Sequence, residues 1–385
     1  MNNTAKWIVG LVVVALVIWG LVAANKNKNE DSSGNQTKSE ETGPIKIGFI
    51  GPLTGENANL GLNAKAAAEI ALEEVNNAGG VNGRKLEMIF EDGKCAGGPA
   101  NSAATKLIDA DKVSVILGGL CSGETMAFTQ KAEDSKTAVL SYCSSNPSIT
   151  NAGDYIFRVY PSDSFQGKFA AEYIYNKLGK KTVAILYTKN DWATGIKEVF
   201  SNSFKALGGS ITADEGFDAA SKDYRTVLSK IKATSPELLY FVGYTDSAIP
   251  GLKQAAELKL NIPMFGADGW DDPKIFTDAG AAGEGAMYSV VATAENQGFK
   301  QKMKEKTQSD SVIICSPGAY DGVKILADVM KKVGTDSTAI KNELYKVNYK
   351  GGALSDEISF DSNGDPKTAN YIVKAAKNGK AEEVK

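Results

Sequence analysis

The sequence predicts an α/β protein of two doubly wound lobes, on three observations. From residue 45 onward, short apolar runs of strand length alternate with segments of helical periodicity, the pattern of parallel strands covered by helices. The alternation restarts near residue 165, so there are two series of similar size. The chain has 385 residues, more than one ordinary domain of ~100–200 residues holds. Apolar residues make up 43% and charged residues 23%, which is a globular composition and not a disordered one.

Ahead of the first strand, residues 7–24 read WIVGLVVVALVIWGLVAA, without a charge. As a helix the run spans about 27 Å, close to the ~30 Å of a hydrocarbon core. Lys6 flanks it as a cytoplasmic residue does. The run exceeds the apolar stretch of a typical cleaved signal, yet Val22 and Ala24 suit a small-residue cleavage site. Residues 1–24 therefore read as a signal anchor, forming an N-terminal membrane helix, or as a signal peptide. No cysteine follows to carry a lipid. Residues 25–44 hold no large apolar side chain, cannot offset chain entropy by burial, and read as a disordered polar tether. A flexible coil of that length reaches about 25 Å. The body beyond it is expected outside the cytoplasm, periplasmic or at the cell surface and tethered to the membrane.

In the body, Ile45–Ile50, Leu86–Phe90, Val113–Leu117 and Ala138–Leu140 read as strands. Leu62–Val75, Pro99–Ala110 and Glu124–Asp134 read as helices between them, the first stopped by Asn76–Gly80. The second series runs Phe165–Leu178 (helix), Val183–Tyr187 (strand) and Ala193–Leu207 (helix). It continues with Tyr224–Ala233 (helix), Leu238–Val242 (strand), Ala248–Leu258 (helix) and a short strand at Pro263–Gly266. Thr293–Val347 is mostly helical and too short for a third lobe, so it is expected to return to the first. A last strand near Tyr371–Ala375 completes the second. The expected boundaries are 45–160 plus 290–353 for lobe 1 and 161–289 plus 354–385 for lobe 2.

Composition removes several functions. There are 43 basic and 46 acidic residues, which leaves no basic excess for a phosphate backbone, so no nucleic-acid partner is expected. Histidine is absent. With it go Ser-His and Cys-His nucleophiles, His-ligated metals and the usual near-neutral base. No phosphate-binding glycine motif occurs, and GGVNGRK at 79–85 follows a helix and precedes a strand, the reverse of what a phosphate loop needs. Asp361, Asn363 and Asp365 alternate as in a calcium loop but lack its glycine spacing and terminal glutamate, so they read as a turn. Neither a metal nor a cofactor is expected. The four cysteines, Cys95, Cys121, Cys143 and Cys315, form no CxxC pair. In an exported protein their even number permits disulfides, in any of three pairings.

Polar residues gather at strand ends. Ser122 follows LGGLC, and Ser144–Ser145 follow VLSYC, each where a helix is due to begin. A hydroxyl beside free backbone N–H groups there serves as a helix cap or holds a carboxylate. Open α/β sheets bind ligands at this edge. In the second series, GYTDSA (243–248) and GADGWDDP (266–273) hold the matching positions. Asp268 offers a counter-charge for an ammonium, and Trp192 an apolar lid.

KIGFIGPLTG (46–55) and AAAEIALEEVNNAGGVNGRKLEMIFEDGKC (66–95) resemble the type I periplasmic binding proteins. Within them the chain is similar to the leucine/isoleucine/valine-binding family of amino-acid ABC importers. The likeness continues through ILGGLCSGET, SYCSSNPSIT, LYFVGYTD and MFGADGW, over residues 45–375. It implies two α/β lobes joined by a three-strand hinge, with an amino acid bound between them. It implies ligand contacts at Ser122, at the Cys143 carbonyl, at Ser145 (where relatives usually have threonine) and at Tyr244. It implies Asp268, glutamate in the nearest relatives, for the ammonium, and the aromatic Trp192 over the ligand. It implies a Cys95–Cys121 disulfide. Cys143 and Cys315 depart from the pattern, and a second bridge beside the pocket is the expectation for them. Leu60 stands where relatives often carry an aromatic, and Trp270 is expected to fill part of the pocket.

The function implied is that of a monomeric solute-binding component, non-enzymatic, which closes on an amino acid of branched-chain type and delivers it to ABC permease subunits. A tethered amino-acid or amide sensor ectodomain is the alternative. A hydrolase using Ser122 lacks a base at any fixed local spacing.

Overall fold

The computed structural model describes residues 43–384. The apolar run at 7–24 and nearly all of the polar segment at 25–44 lie outside the described residues. Among those described, no helix is long and apolar enough to cross a membrane.

In chain order the strands are β1 (Ile45–Gly51), β2 (Leu86–Asp92), β3 (Val115–Gly118), β4 (Ala138–Ser141), β5 (Ile156–Arg158), β6 (Thr182–Thr188), β7 (Ser210–Phe217), β8 (Leu238–Val242), β9 (Met264–Gly266), β10 (Met287–Val291), β11 (Asn348–Lys350), β12 (Glu357–Ser359), β13 (Tyr371–Lys377) and β14 (Lys380–Glu383). The α-helices are α1 (Ala58–Asn77), α2 (Gly97–Thr105), α3 (Ser122–Asp134), α4 (Asp163–Glu172), α5 (Asp191–Ala206), α6 (Arg225–Ala233), α7 (Thr245–Glu257), α8 (Pro273–Ala279), α9 (Gln297–Thr307), α10 (Ser316–Val333) and α11 (Ser337–Leu344). Two sheets carry the fold. The first has the order β2-β1-β3-β4-β5 and is parallel throughout. The second has the order β14-β13-β10-β9-β8-β6-β7, parallel except for β13 and β14 at one edge. Each sheet with its helices forms one lobe.

The central strands explain why the pattern was readable. β3 (VILG), β4 (AVLS) and β8 (LLYFV) are buried at every position, as strands covered by helices on both faces are. α10 packs along α1, and α11 against β4, so the helical stretch after β10 covers the first sheet. The turn after α1 is met by Gly80 at φ 74°, a conformation glycine adopts without strain. A Cβ there would stand 2.1 Å from the Arg84 carbonyl oxygen.

Some elements escape a reading by pattern. β7 (SITADEGF) is an edge strand and mostly half-exposed, so its residues are too polar to register as an apolar run. β5 has only three residues. β10 lies between helical patterns and pairs with β9 and β13, partners that sequence does not reveal. Residues 354–366 also correct the expected boundary. Gly364 O accepts a bond from Arg158 N (3.0 Å), and Phe360 meets Phe157 edge-on at 5.5 Å. This turn therefore belongs beside β5 in the first lobe, not in the second.

The chain passes from one sheet to the other after β5, after β10 and before β13. The last two passages run together, with Ala292 N donating to Asn370 O (2.9 Å). The first is anchored by Arg158, fully buried at the end of β5. Its guanidinium grips Asp365 through Nε–Oδ1 (2.6 Å) and Nη2–Oδ2 (2.8 Å), and reaches Asn146 O (2.9 Å) and Thr150 Oγ1 (2.8 Å). A two-point pair fixes direction as well as distance. Asp365, read from sequence as a turn residue, sits in a turn closed by Asp361 N to Asp365 O (2.8 Å), and it is also the counter-ion of this arginine.

Arg158→Met leaves Asp365 buried without its partner. Such a loss costs about 3–5 kcal/mol, and urea melts of the two proteins will show it as a lower midpoint.

Candidate functional site

The carboxyl ends of the two sheets face each other, and the lobes are shut. Asn59 Nδ2 on α1 donates to Asp272 Oδ2 (3.0 Å), and Lys222 Nζ meets Glu56 at 2.7 Å. Asn146 Nδ2 donates to Asp191 O at the start of α5. These contacts cross from the first lobe to the second.

The first lobe contributes hydroxyls. Ser122 opens α3, and its Oγ accepts bonds from Ser145 N (3.2 Å) and Asn146 N (3.1 Å). Ser145 Oγ donates to Asp163 Oδ2 (2.9 Å), and Asp163 N returns a bond to Ser145 O (2.7 Å). Ser144 turns the other way, to Thr125 Oγ1 (2.7 Å) and the Gly119 carbonyl (3.2 Å), and ties two strand ends together. The loop ahead of Ser122 is held by Glu124. Its Oε2 accepts from Leu120 N and Cys121 N (both 3.0 Å), and its Oε1 from Cys95 N (2.9 Å). Glu124 is fully buried. Burial pushes its carboxyl up to about 7, against the pull of those N–H groups.

The second lobe contributes charge and aromatic walls. Asp268 follows β9 in a single helical turn and is 4% exposed. Its Oδ2 accepts the Tyr160 hydroxyl (2.9 Å), whereas Oδ1 is buried with no hydrogen-bond partner. Burial raises Asp268 to about 7, and the Tyr160 bond pulls the other way. Asp163 is raised well above the usual carboxylate range, by burial first and by the charge of Asp268 second, and its Oδ1 also lacks a partner. Tyr244 caps the start of α7, and its ring stacks on Trp192 at 4.4 Å and 19°. Gly269 makes room for this pair, since a Cβ there would stand 2.7 Å from the Trp192 ring.

Most residues singled out in the sequence come together here. Ser122, Ser145, Trp192, Tyr244 and Asp268 are buried at the facing strand ends. Leu60 is 2% exposed, next to Asn59, which bridges to the second lobe. Cys143 lies at the end of β4, two residues before Ser145, and is bonded to Cys315. Trp270 is buried too, and its Nε1 has no hydrogen-bond partner. Its ring is fully buried against Gly266, crossed edge-on by Phe241 (5.6 Å) and Phe276 (6.4 Å). The one-turn helix that presents Asp268 swings the residue two places later into the core. Sequence reasoning missed Glu124, Tyr160 and Asp163. A signal for Glu124 existed, namely an acid three residues after a helix start. Tyr160 and Asp163 come from the segment joining the lobes, where no periodicity marks a site.

Both disulfides form: Cys95–Cys121 beside the Ser122 loop and Cys143–Cys315 beside Ser145. Among the described residues there is no group of acids and cysteines fit to hold a metal.

Comparison with known proteins agrees with this layout. The model of the family described as periplasmic binding protein matches residues 44–380. A leucine-, isoleucine-, valine-, threonine- and alanine-binding protein of Pseudomonas aeruginosa is 30% identical over 335 residues, 86% of this chain and 89% of that protein. The crystal structure of a leucine-binding protein from Thermotoga maritima superposes with a TM-score of 0.83 at 28% identity, covering 89% of this chain and 98% of that one. A branched-chain amino acid transporter substrate-binding protein from Streptococcus pneumoniae, in complex with isoleucine, gives 0.80 at 29% identity, with 89% and 99% covered.

Cys143 and Cys315 are 172 residues apart in sequence, so their bond closes a long loop in the unfolded chain. Replacing both by alanine is expected to remove about 2–4 kcal/mol of stability. Denaturant melts with and without reductant will show the wild type losing this increment on reduction and the variant losing less.

Proposed function

The chain belongs to the periplasmic binding protein family, solute-binding proteins and not enzymes, and from that premise we propose that it captures a free amino acid between its two lobes. The observation that carries this reading is the buried, unpartnered Oδ1 of Asp268 on one lobe, opposite the Ser122 and Ser145 hydroxyls of the other. An amino acid brings one ammonium and one carboxylate. Each must find a partner when water is shut out, because an unpaired buried charge is costly. Asp268 takes the ammonium. Ser122 and the N–H groups at the start of α3 take the carboxylate, a match of anion to helix N-terminus. Ser145 and the Cys143 carbonyl complete the polar half. Leu60, Trp192 and Tyr244 wall the side-chain half, an apolar surface suited to a branched aliphatic group. The leucine- and isoleucine-binding relatives support that choice.

Closing of the lobes traps the guest, and reopening releases it unchanged. The family works outside the cytoplasm. The shut form is read as the one that docks, as a monomer, on an ABC permease in the membrane. The apolar run at 7–24 is read as the export segment, retained as an anchor or removed as a signal.

Calorimetry with the common L-amino acids tests the reading, and a branched-chain amino acid is expected to bind without turnover. Asp268→Asn removes one member of the buried charge pair, worth about 2–5 kcal/mol, and so weakens binding at least ~30-fold. Unchanged affinity would take Asp268 out of the site. The pH dependence has a definite sign. In the ligand-free protein Asp268 binds its proton at about pH 7, and the ammonium binds only the ionised form. Affinity is therefore level above neutrality and falls as pH drops below 7, approaching tenfold per unit. Titrations from pH 8 to 5.5 will trace that limb.

A further inference from the structure

The sequence leaves a gap at the ammonium site. Asp268 is one methylene shorter than glutamate, so its carboxyl group reaches less far from the backbone. The structure shows what stands in that gap. Tyr160 lies between β5 and α4, on the first passage from lobe to lobe, and its hydroxyl donates to Asp268 Oδ2 (2.9 Å). The two residues are 108 positions apart. Tyr160 is 1% exposed and Asp268 4%, so water does not compete for the bond.

We propose that Tyr160 is a positioning residue for ligand capture: by holding one oxygen of Asp268 it turns the other toward the guest's ammonium, and so offsets the shortness of this acid. This rests on the reading of Asp268 as the ammonium partner.

The surroundings make the bond consequential. Asp271 is the nearest further acid in sequence, and its carboxylate is met by Lys374 Nζ (2.7 Å) and the Tyr288 hydroxyl (2.7 Å). Asp163 faces Asp268 from the start of α4 and interacts with it electrostatically. The hydroxyls of Tyr240, Tyr244 and Tyr371 sense the Asp268 charge from β8, from the start of α7 and from β13. Arg158 is the cation acting on Asp163, and it is committed to Asp365. Among the described residues no lysine or arginine forms an ion pair with Asp268. Tyr160 is therefore the side-chain donor that supports its charged form before a guest arrives. A hydrogen bond to the charged form favours that form, and it also fixes the plane of the carboxyl group. Without the hydroxyl the acid keeps only the weaker pull of the Gly269 and Asp268 backbone N–H groups, and it holds its proton to higher pH.

The test uses Tyr160→Phe, which keeps the ring and its packing. Calorimetry at pH 8 with the amino acid that the wild type binds should show affinity reduced roughly tenfold or more, the range for a hydrogen bond to a charged group. The acidic limb of the affinity profile should move to higher pH. In the Asp268→Asn background the same change should have little further effect, because the bond acts through Asp268. In parallel, carbon-13 carboxyl titration of the ligand-free proteins should place the Asp268 midpoint higher in Tyr160→Phe than in the wild type. Unchanged affinity and pH profile in Tyr160→Phe overturns the proposal, as does an equal loss in both backgrounds. If the wild type binds no amino acid, the functional reading fails instead, and the carboxyl titration still decides the role of Tyr160.

Discussion

A carboxylate placed where water cannot reach it governs this protein. Asp268 is buried, one of its oxygens has no partner, and no lysine or arginine among the described residues pairs with it. Charge in such a place is expensive unless something of opposite sign is brought in. In the proposed reading a guest ammonium is that complement, admitted as the lobes open and shut. The aromatic wall of Trp192 on Tyr244 keeps the place dry. The opposite lobe supplies the Ser122 and Ser145 hydroxyls, and the acid that faces Asp268 from α4 of its own lobe, Asp163, is raised by burial well above the usual carboxylate range.

The remainder of the first lobe serves to keep those donors still. Three strand-end loops meet at Ser122, and each is tied to another. Glu124 gathers the N–H groups of Cys95, Leu120 and Cys121. Ser144 links the Thr125 hydroxyl and the Gly119 carbonyl. Two disulfides close the same region from either side. A site that binds by fixed dipoles must not spend binding energy on ordering itself, and this network of bonds holds the loops in place.

The passages between the sheets are tied to one another. The Arg158–Asp365 pair anchors the first passage to the turn that precedes the third, and the second and third share a backbone bond. Tyr160 sits on the first passage and Asp268 on the second lobe, so their bond ties that passage to the second lobe.

What the sequence determined by itself was the class of fold and most of the polar and aromatic groups that the proposed site uses. Buried parallel strands such as β3, β4 and β8 are continuous apolar runs, and Ser122, Ser145, Tyr244 and Asp268 stand at their ends, where chain order alone places them. Resemblance supplied the proposed roles, and the tertiary structure set the positions near one another. It alone decided whatever depends on contacts between distant segments. The edge strand β7 is polar because one side faces solvent, so no apolar run marks it. Trp270 lies two residues from Asp268, and its packing against Gly266, Phe241 and Phe276 is a matter of which way a single helical turn faces, which spacing does not show. The pairing of Cys143 with Cys315, of Arg158 with Asp365 and of Tyr160 with Asp268 joins residues 172, 207 and 108 positions apart. Periodicity reports a residue's local face, and only the folded chain brings such partners within reach of a bond.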